Sequence, residues 1–225
     1  MKKFLSLKPP KGVSEVVRDH WIEVNFVLPQ PITVVTTVDR VGRVNAALKS
    51  WVMYCSTRHI MFGCNIEHDT AKNVLETKEF VVNIPGEDIL KHIVITALPY
   101  PRGVNEIEKA GLTAIPSSKV KPPRIKECKA HAECKLLWHK RLGGNLIVFI
   151  GRVIALSVDK DIVDDKKKHV KTLDLRQMLL VPDGIGVIER TKPLEVPEYS
   201  PKQVNFSLQK KTAHLIKRAR DKTHL

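Results

Sequence analysis

Long apolar runs are missing from this sequence. No apolar stretch approaches the roughly 18 residues that a helix needs to span a bilayer. The N-terminus begins with basic residues, but Pro9 and Pro10 interrupt it before the apolar segment of a secretory signal could form. We therefore expect a cytoplasmic protein that does not associate with membranes.

Cysteine is scarce, and its spacing argues against a zinc centre. The four cysteines form no CxxC pair, the spacing typical of zinc sites and of thioredoxin-type redox sites; they are Cys55, Cys64, Cys128 and Cys134. We expect buried free thiols at these positions. His131 and Glu133 share a face of a predicted strand, but two ligands without a third are more typical of a surface pair. We therefore predict no metal site.

Three signature motifs are also absent. The sequence contains no GxGxxG, no GxxxxGKS/T and no GxSxG. The first two absences argue against a Rossmann dinucleotide fingerprint and a P-loop, and the third against a hydrolase nucleophile motif. A nucleotide site in this chain would therefore have to be built in another way.

Acidic residues are few relative to basic ones. The chain has 24 Asp and Glu against 38 Lys and Arg, which gives a net charge of +14. This excess favours anionic partners such as nucleotide phosphates, nucleic acid or acidic surfaces. A Lys-rich solvated surface would give the same balance, so charge alone leaves both interpretations open.

Short strands separated by turns dominate the pattern that is present. Ile32–Val38 is almost wholly β-branched, which predicts a buried strand, and a turn at Asp39–Gly42 leads to a returning strand at Val44–Ala47. Further strands are predicted over Arg58–Gly63, Glu79–Ile84, Ala130–Trp138 and Leu146–Val158. Helices do not alternate regularly with these strands, so the pattern favours an antiparallel barrel or sandwich over a doubly wound parallel sheet.

Three helices are predicted between the strands. Asp69 can cap a helix that starts at Thr70 and turns Ala71, Val74 and Leu75 inward. A second helix is predicted from Glu87 to Thr96, with Ile89, Leu90, Ile93 and Val94 on its core face. A third runs from Asn105 to Ala110 and ends at Gly111. Residues 159–176 are charged and irregular, which predicts an exposed loop.

The start of the first helix is a candidate phosphate site. A helix N-terminus offers free amide donors and the positive end of a dipole, and here Thr70 adds a hydroxyl and His68 a possible cation. Polar side chains also interrupt the apolar strands, namely Thr36, Thr37, Asn45 and Ser50. Such groups need partners, either neighbouring backbone or a ligand rich in donors and acceptors, such as a flavin ring. The strand propensity of Thr alone would explain the same pattern.

Four segments together resemble a known family. PITVVTTVDRVGRVNAALKSW, HDTAKNVLETKEFVVNI, PYPRGVNEIEKAGL and KPPRIKECKAHAEC are similar to the flavin reductase-like, FMN-binding split-barrel family, in particular to archaeal flavoredoxin-related flavoproteins. The resemblance covers roughly residues 27 to 160, with the motifs in the family's order. It implies a mainly β fold with helices, an antiparallel Greek-key split β-barrel. It also implies a homodimer with FMN near the subunit interface.

The resemblance also assigns site residues by position. The ring and ribityl chain of FMN would be lined by Thr36, Thr37, Asn45, Ala46, Ser50 and Trp51, with Gly63 and Cys64 presenting small side chains and backbone. The phosphate would be held by His68, Thr70 and Asn73, and the substrate side of the flavin would be flanked by Arg102 and Asn105. No catalytic dyad is expected, because hydride transfer to a flavin needs little acid–base help from the protein.

The leading hypothesis is an NAD(P)H-dependent flavin reductase. NADH or NADPH would deliver hydride to FMN, and the electrons would pass to free flavin, a metal or a redox partner protein. The first alternative is a flavoredoxin-like electron carrier without NAD(P)H activity. The second, less expected, is a non-enzymatic nucleic-acid or interaction module that uses the basic C-terminal tail. The predicted organisation is a lead-in over residues 1–26, a split-barrel domain over 27–198 and a basic helical tail over 199–225.

Overall fold

A computed structural model describes residues 8, 11–12, 29–164, 166, 169–171, 173–181 and 184–188. The strands within these residues are β1 (Gln30–Pro31), β2 (Thr33–Val38), β3 (Val44–Lys49), β4 (Val52–Ser56), β5 (His59–Asn65), β6 (Glu79–Ile84), β7 (Ala114–Ile115), β8 (Arg124–Ile125), β9 (Ala130–Gly143), β10 (Leu146–Val158), β11 (Val163–Asp164), β12 (His169–Val170), β13 (Met178–Val181) and β14 (Gly184–Val187). The helices are α1 (Asp69–Thr77), α2 (Leu90–Ile95) and α3 (Glu106–Lys109), with 3-10 turns at Glu87–Ile89 and Lys160–Ile162.

Seven of these strands form one antiparallel sheet. Its order is β3-β2-β6-β9-β10-β5-β4, and every neighbouring pair in it is antiparallel. The predicted mainly β, antiparallel architecture is confirmed. The long β9–β10 hairpin lies between β6 and β5, so strands distant in sequence become neighbours. Smaller sheets join β1, β13 and β14, then β7 with β8, and β11 with β12.

Strand β2 separates two apolar clusters. All six of its residues are buried, and successive side chains point to opposite faces of the sheet. Val35 therefore packs in one cluster, with α1 and the aromatic core, whereas Val34 packs in the other, with α2 and α3. Burial on both faces explains why this stretch is β-branched almost throughout.

Three phenylalanines form the centre of the first cluster. Phe62 meets Phe80 edge-on at a ring-centroid distance of 5.0 Å and stacks on Phe149 at 5.1 Å. Ala71 and Val74 of α1 are fully buried against this cluster, as the helical spacing predicted. The packing positions α1 against the sheet and so fixes where its N-terminus points.

The start of α1 differs from the prediction. Asp69 is the first residue of the helix and His68 is its N-cap, with extended backbone angles and no side-chain capping hydrogen bond. The Asp69 carboxylate instead pairs with Arg102 at 3.0 Å. The prediction of Asp69 as N-cap was wrong because this long-range ion pair engages the carboxylate.

Several other predictions are corrected by tertiary contacts. Val94 is 44% exposed, although it was placed on the core face of its helix. Within 159–176 the described residues include a 3-10 turn, β11, β12 and the buried Ile162 and Leu175, so this stretch is not simply an exposed loop. β4, β13 and β14 were not predicted, and β9 continues beyond Trp138 to Gly143.

His131 and Glu133 are buried, not a surface pair. His131 contacts the Ile125 carbonyl through Nε2 at 2.8 Å, and Glu133 accepts the backbone N–H groups of Ser118 at 2.9 Å and Lys119 at 2.6 Å. Both side chains thus attach the loop before β9 to the sheet. Within the described residues, no group of three or more His, Cys, Asp or Glu is placed to hold a metal ion.

The thiol prediction holds for three of the four cysteines. Cys64, Cys128 and Cys134 are buried and free, whereas Cys55 is free and exposed. In the part of the chain that the structure describes, no helix is long and apolar enough to cross a membrane. Most of the predicted lead-in and all of the basic tail lie outside the described residues, so the domain boundaries stay predictions.

Gly151 of β10 permits a close contact between that strand and the aromatic core. A Cβ atom at this position would lie 2.3 Å from Cζ of Phe80. We expect Gly151→Ala to lower the free energy of unfolding by about 1–3 kcal/mol, because the ring and strand must separate. Chemical denaturation of Gly151→Ala, Phe80→Leu and the double variant measures this. If the ring causes the clash, Gly151→Ala lowers the free energy of unfolding by less in the Phe80→Leu background than in the wild type. Strict additivity of the two changes would contradict the explanation.

Candidate functional site

Two adjoining cavities lie beside β3 and the start of α1. Their volumes are about 510 Å³ and about 580 Å³, each within the usual range for small-molecule sites of roughly 300–1,000 Å³. Leu48, Lys49 and His68 line both. We call the first the helix-side cavity and the second the strand-side cavity. They adjoin at these shared residues, and we refer to the two cavities together as the groove.

The helix-side cavity surrounds the N-terminus of α1. His68, Asp69, Thr70 and Lys72 line it from the helix, and residues 96–100 close the other side. The first amides of a helix have no partner within the helix, and the His68 side chain does not cap them. These donors and the helix dipole favour an anionic group at this end of the groove.

A buried hydrogen-bond network attaches this helix to the β2–β3 hairpin. The Thr37 hydroxyl accepts from the side-chain amides of Asn45 at 3.2 Å and Asn73 at 3.1 Å. Asn45 also donates to the Thr70 hydroxyl at 3.2 Å. Among the described residues the Thr70 hydroxyl donates to no acceptor, so its hydrogen is available to a ligand in the helix-side cavity.

Arg102 lies at the rim of the same cavity, on the loop before α3. It donates to Asp69 at 3.0 Å and contacts Asn73 at 3.5 Å, so it is held against α1. Asn105 does not line either cavity. It caps α3 by accepting from the Ile107 N–H at 3.1 Å, which gives it a structural role.

Glu106 is a site residue that sequence reasoning missed. Glu106 is only 8% exposed and lines the helix-side cavity, and its carboxylate accepts the Ala46 N–H at 2.8 Å. Burial raises the pKa of Glu106; the Ala46 hydrogen bond opposes this shift, whereas Asp69 adds to it. No local spacing links residues 46 and 106, so only the packing of α3 against β3 reveals the contact.

The strand-side cavity collects four of the residues assigned to the flavin ring. Ser50, Trp51, Gly63 and Cys64 line it together, opposite the turn that joins β9 and β10. Cε3 of Trp51 lies 3.2 Å from where a Cβ atom on Gly63 would sit. A larger residue at position 63 would therefore press on the indole, which forms an apolar wall of this cavity.

Lys49 was also missed, although it is central to the groove. It lies at the end of β3 and lines both cavities. Burial lowers the pKa of Lys49, while Cys64 and Glu106 oppose that shift. Burial, with the nearby charges of Lys49 and Lys72, also lowers the pKa of His68. This shift disfavours the cationic form of His68 that was considered from the sequence.

The predicted site residues divide into two groups. Those that line the groove are Asn45, Ser50, Trp51, Gly63, Cys64, His68, Thr70 and Arg102. Those that line neither cavity are Thr36, Thr37, Ala46, Asn73 and Asn105. Thr37 and Asn73 lie beneath the groove in the hydrogen-bond network. Thr36 is fully buried, and its hydroxyl donates to the Pro123 carbonyl at 2.5 Å and accepts from Asn83 at 3.2 Å.

The thiol in the groove should be unreactive despite its position. Burial raises the pKa of Cys64 to about 11, although Lys49 opposes the shift. At pH 7.5 we expect iodoacetamide to alkylate exposed Cys55 roughly a hundredfold faster than Cys64, because the thiolate is the nucleophile. Below the pKa, the Cys64 rate should rise roughly tenfold for each pH unit. Peptide mass spectrometry measures both rates.

Cys55→Ser is the control for this experiment, since it should abolish the fast reaction and leave the slow one. Rapid labelling of Cys64 at pH 7.5 in the folded protein would contradict the assigned burial.

Known proteins resemble this chain in sequence. The profile of a family described as Flavin reductase like domain matches residues 26–174. A protein of Aquifex aeolicus is 37% identical over 147 residues, which span 62% of this chain and 74% of that protein. One of Methanothermobacter thermautotrophicus is 32% identical over 176 residues, which span 76% of each. Both relatives are described as uncharacterized proteins.

Solved structures share the fold. A Shewanella frigidimarina protein with a split barrel domain matches with a TM-score of 0.74 at 20% identity, covering 82% of this chain and 94% of its own. The 2-nitrobenzoate 2-nitroreductase of Pseudomonas fluorescens matches with a TM-score of 0.77 at 23% identity, and the match covers 90% of this chain and 100% of that protein. Flavoredoxin of Methanosarcina acetivorans matches with a TM-score of 0.63 at 21% identity, and the match covers 91% of this chain and 100% of that protein. At these identities the likeness establishes the fold, and the predicted antiparallel Greek-key split barrel is confirmed.

Proposed function

Because the chain belongs to the flavin reductase like family, we propose that it is an FMN-binding oxidoreductase that accepts hydride from NADH or NADPH. The observation that carries this proposal is the pair of adjoining cavities that form the groove. It has an uncapped helix N-terminus at one end and a cavity with the Trp51 indole as one wall at the other. FMN, a phosphate joined by a polar chain to a flat aromatic ring, would match these two ends of the groove.

The residues that line the groove suit the chemistry of FMN, and they follow the order of its parts from phosphate to ring. At the phosphate end the amides of α1 and the Thr70 hydroxyl donate hydrogen bonds, and Lys72 adds positive charge. At the ring end Trp51, Gly63 and Leu146 offer apolar surface and close backbone approach. When bound, FMN supplies the redox chemistry, since its ring accepts a hydride.

The chain's own contribution to such a reaction is binding and orientation. Residues on β3, α1 and the β9–β10 turn hold the two ends of the ligand, so its ring is fixed relative to the open side of the groove. Arg102, at the rim of the helix-side cavity, is placed to meet an anionic co-substrate. None of the residues in the groove has to supply a proton for hydride transfer itself.

A flavoredoxin-like electron carrier is the second candidate. The match to flavoredoxin of Methanosarcina acetivorans favours it, since the same fold hosts a protein so named. A carrier and a reductase would share the flavin groove and differ in their reaction with nicotinamide. The nucleic-acid hypothesis depends on the basic tail, which lies outside the described residues, and it stays a prediction, as does the cytoplasmic location.

A homodimer is supported by an exposed apolar stripe on the outer face of the sheet. Its four residues are direct cross-strand neighbours, in the order Met53, Met61, Ile150 and Trp138. Met53 is 56% and Trp138 46% exposed. Apolar patches that cross several strands typically mark protein–protein contacts. Met53 follows Trp51 by two residues in the chain, so we propose that a second copy covers the stripe and lies close to the groove.

Flavin binding is tested most directly with the purified protein. We expect absorbance near 450 nm, either as isolated or after reconstitution with FMN; this wavelength is roughly that of oxidised flavins in general. Anaerobic addition of NADH or NADPH should bleach that band in a reductase and leave it unchanged in a carrier. A colourless protein that FMN cannot reconstitute would remove both flavin candidates.

Thr70→Ala tests the phosphate end of the groove. The variant loses one hydrogen bond to a charged group, so we expect the Kd for FMN to rise about tenfold to a hundredfold. The Kd for riboflavin, which lacks the phosphate, should change much less. Thr113→Ala is the matched control, because Thr113 is exposed and lines neither cavity. Equal effects of the two substitutions, or equal effects on both flavins, would count against the helix-terminus site.

Trp138→Lys tests the proposed dimer contact. A charge in the middle of the apolar stripe should turn a dimer into a monomer, because the buried ammonium would have no partner. Sedimentation equilibrium measures the mass. Val41→Lys is the control, since Val41 is 77% exposed in the β2–β3 turn, away from the stripe. A wild-type protein that is monomeric at high micromolar concentration would refute the proposal.

A further inference from the structure

Lys49 occupies the junction of the two cavities. It is half-buried at the end of β3, and it lines both the helix-side cavity with Thr70 and the strand-side cavity with Trp51. A ligand that extends through the groove must pass this side chain. The other lysine of the groove, Lys72, lines only the helix-side cavity.

The charge of Lys49 is poorly compensated by the protein. Among the described residues no carboxylate lies within ion-pair distance of its ammonium, whereas Lys72 pairs with Glu67 at 3.2 Å. Glu106 influences Lys49 electrostatically from across the cavity, but its carboxylate is already engaged by the Ala46 N–H. Burial disfavours the ammonium form and lowers the pKa of Lys49. An anion in the groove would relieve this cost.

A flavin ring becomes anionic when it is reduced. A hydride carries one proton and two electrons, so its addition to the neutral ring leaves one negative charge there until a further proton binds. We propose that the Lys49 ammonium stabilises this charge, so that the groove binds reduced FMN more tightly than oxidised FMN. The inference rests on the proposed function, because it requires the ring to lie in the strand-side cavity. It makes Lys49 a residue that sets the redox potential through charge near the ring.

The phosphate of FMN is the other anion that Lys49 could meet, and riboflavin separates the two. A counter-ion of the phosphate changes the affinity for FMN and leaves riboflavin unaffected. A counter-ion of the reduced ring changes the potential of both flavins by the same amount. It leaves the affinity for either oxidised flavin nearly unchanged.

The test is a spectroelectrochemical titration of the flavin-loaded protein at pH 7. We expect Lys49→Met to reduce the ratio of the affinities for reduced and oxidised flavin at least tenfold. Each tenfold reduction lowers the two-electron midpoint potential by about 30 mV. The shift should be the same with FMN and with riboflavin. Lys49→Arg should retain the potential, because it keeps the charge. Lys72→Met is the matched control and should leave the potential unchanged.

Each other outcome overturns the inference in a distinct way. A Lys49→Met protein with unchanged potential refutes it while the proposed function stands. A raised Kd for oxidised FMN, with riboflavin unaffected, assigns Lys49 to the phosphate instead. If the wild-type protein takes up neither flavin, the proposed function fails and the inference with it. Lys49→Gln provides a second neutral variant should Lys49→Met not fold.

Discussion

The groove depends on a small buried hydrogen-bond network between α1 and the β2–β3 hairpin. Asn45 and Asn73 both donate to Thr37, and Asn45 also donates to Thr70. Buried amides and hydroxyls are costly unless they are paired, so these bonds favour this relative position of helix and hairpin. That position places the uncapped start of α1 beside β3.

The charges around the groove follow from the same packing. Ala46 on β3 engages Glu106 of α3, whereas Lys49, three residues further along β3, projects into the groove without an ion-pair partner among the described residues. Asp69 and Arg102 satisfy each other at the rim. Among the described residues, ion pairs thus engage Glu67 and Lys72 as well as Asp69 and Arg102, and the Lys49 ammonium lies where the two cavities meet without such a pair. A site of this kind is suited to a ligand whose charge changes during its reaction.

Much of the local structure could be predicted from the residues alone. The β-branched run of β2 and the amphipathic spacing of α1 are local signals, and both elements form where they were expected. The role of Thr36 could not be predicted, because Thr36 and Thr37 differ only in the sheet face that each occupies. The Thr36 hydroxyl donates to the Pro123 carbonyl, whereas the Thr37 hydroxyl lies under the groove. His131 and Glu133 were misjudged for a similar reason, since their backbone partners are distant in sequence.

The sequence by itself determined the antiparallel, mainly β class, the family, and the position of a helix terminus that we propose holds a phosphate. Strand composition, helical period and the N-terminal amides are all properties of short segments. Only the tertiary structure decided which polar residues face the groove and which are used within the protein. It also brought Lys49 and Glu106 to the groove and aligned Met53, Met61, Ile150 and Trp138 into one stripe. These relations join strands and helices far apart in the chain, and no local pattern encodes which strand pairs with which.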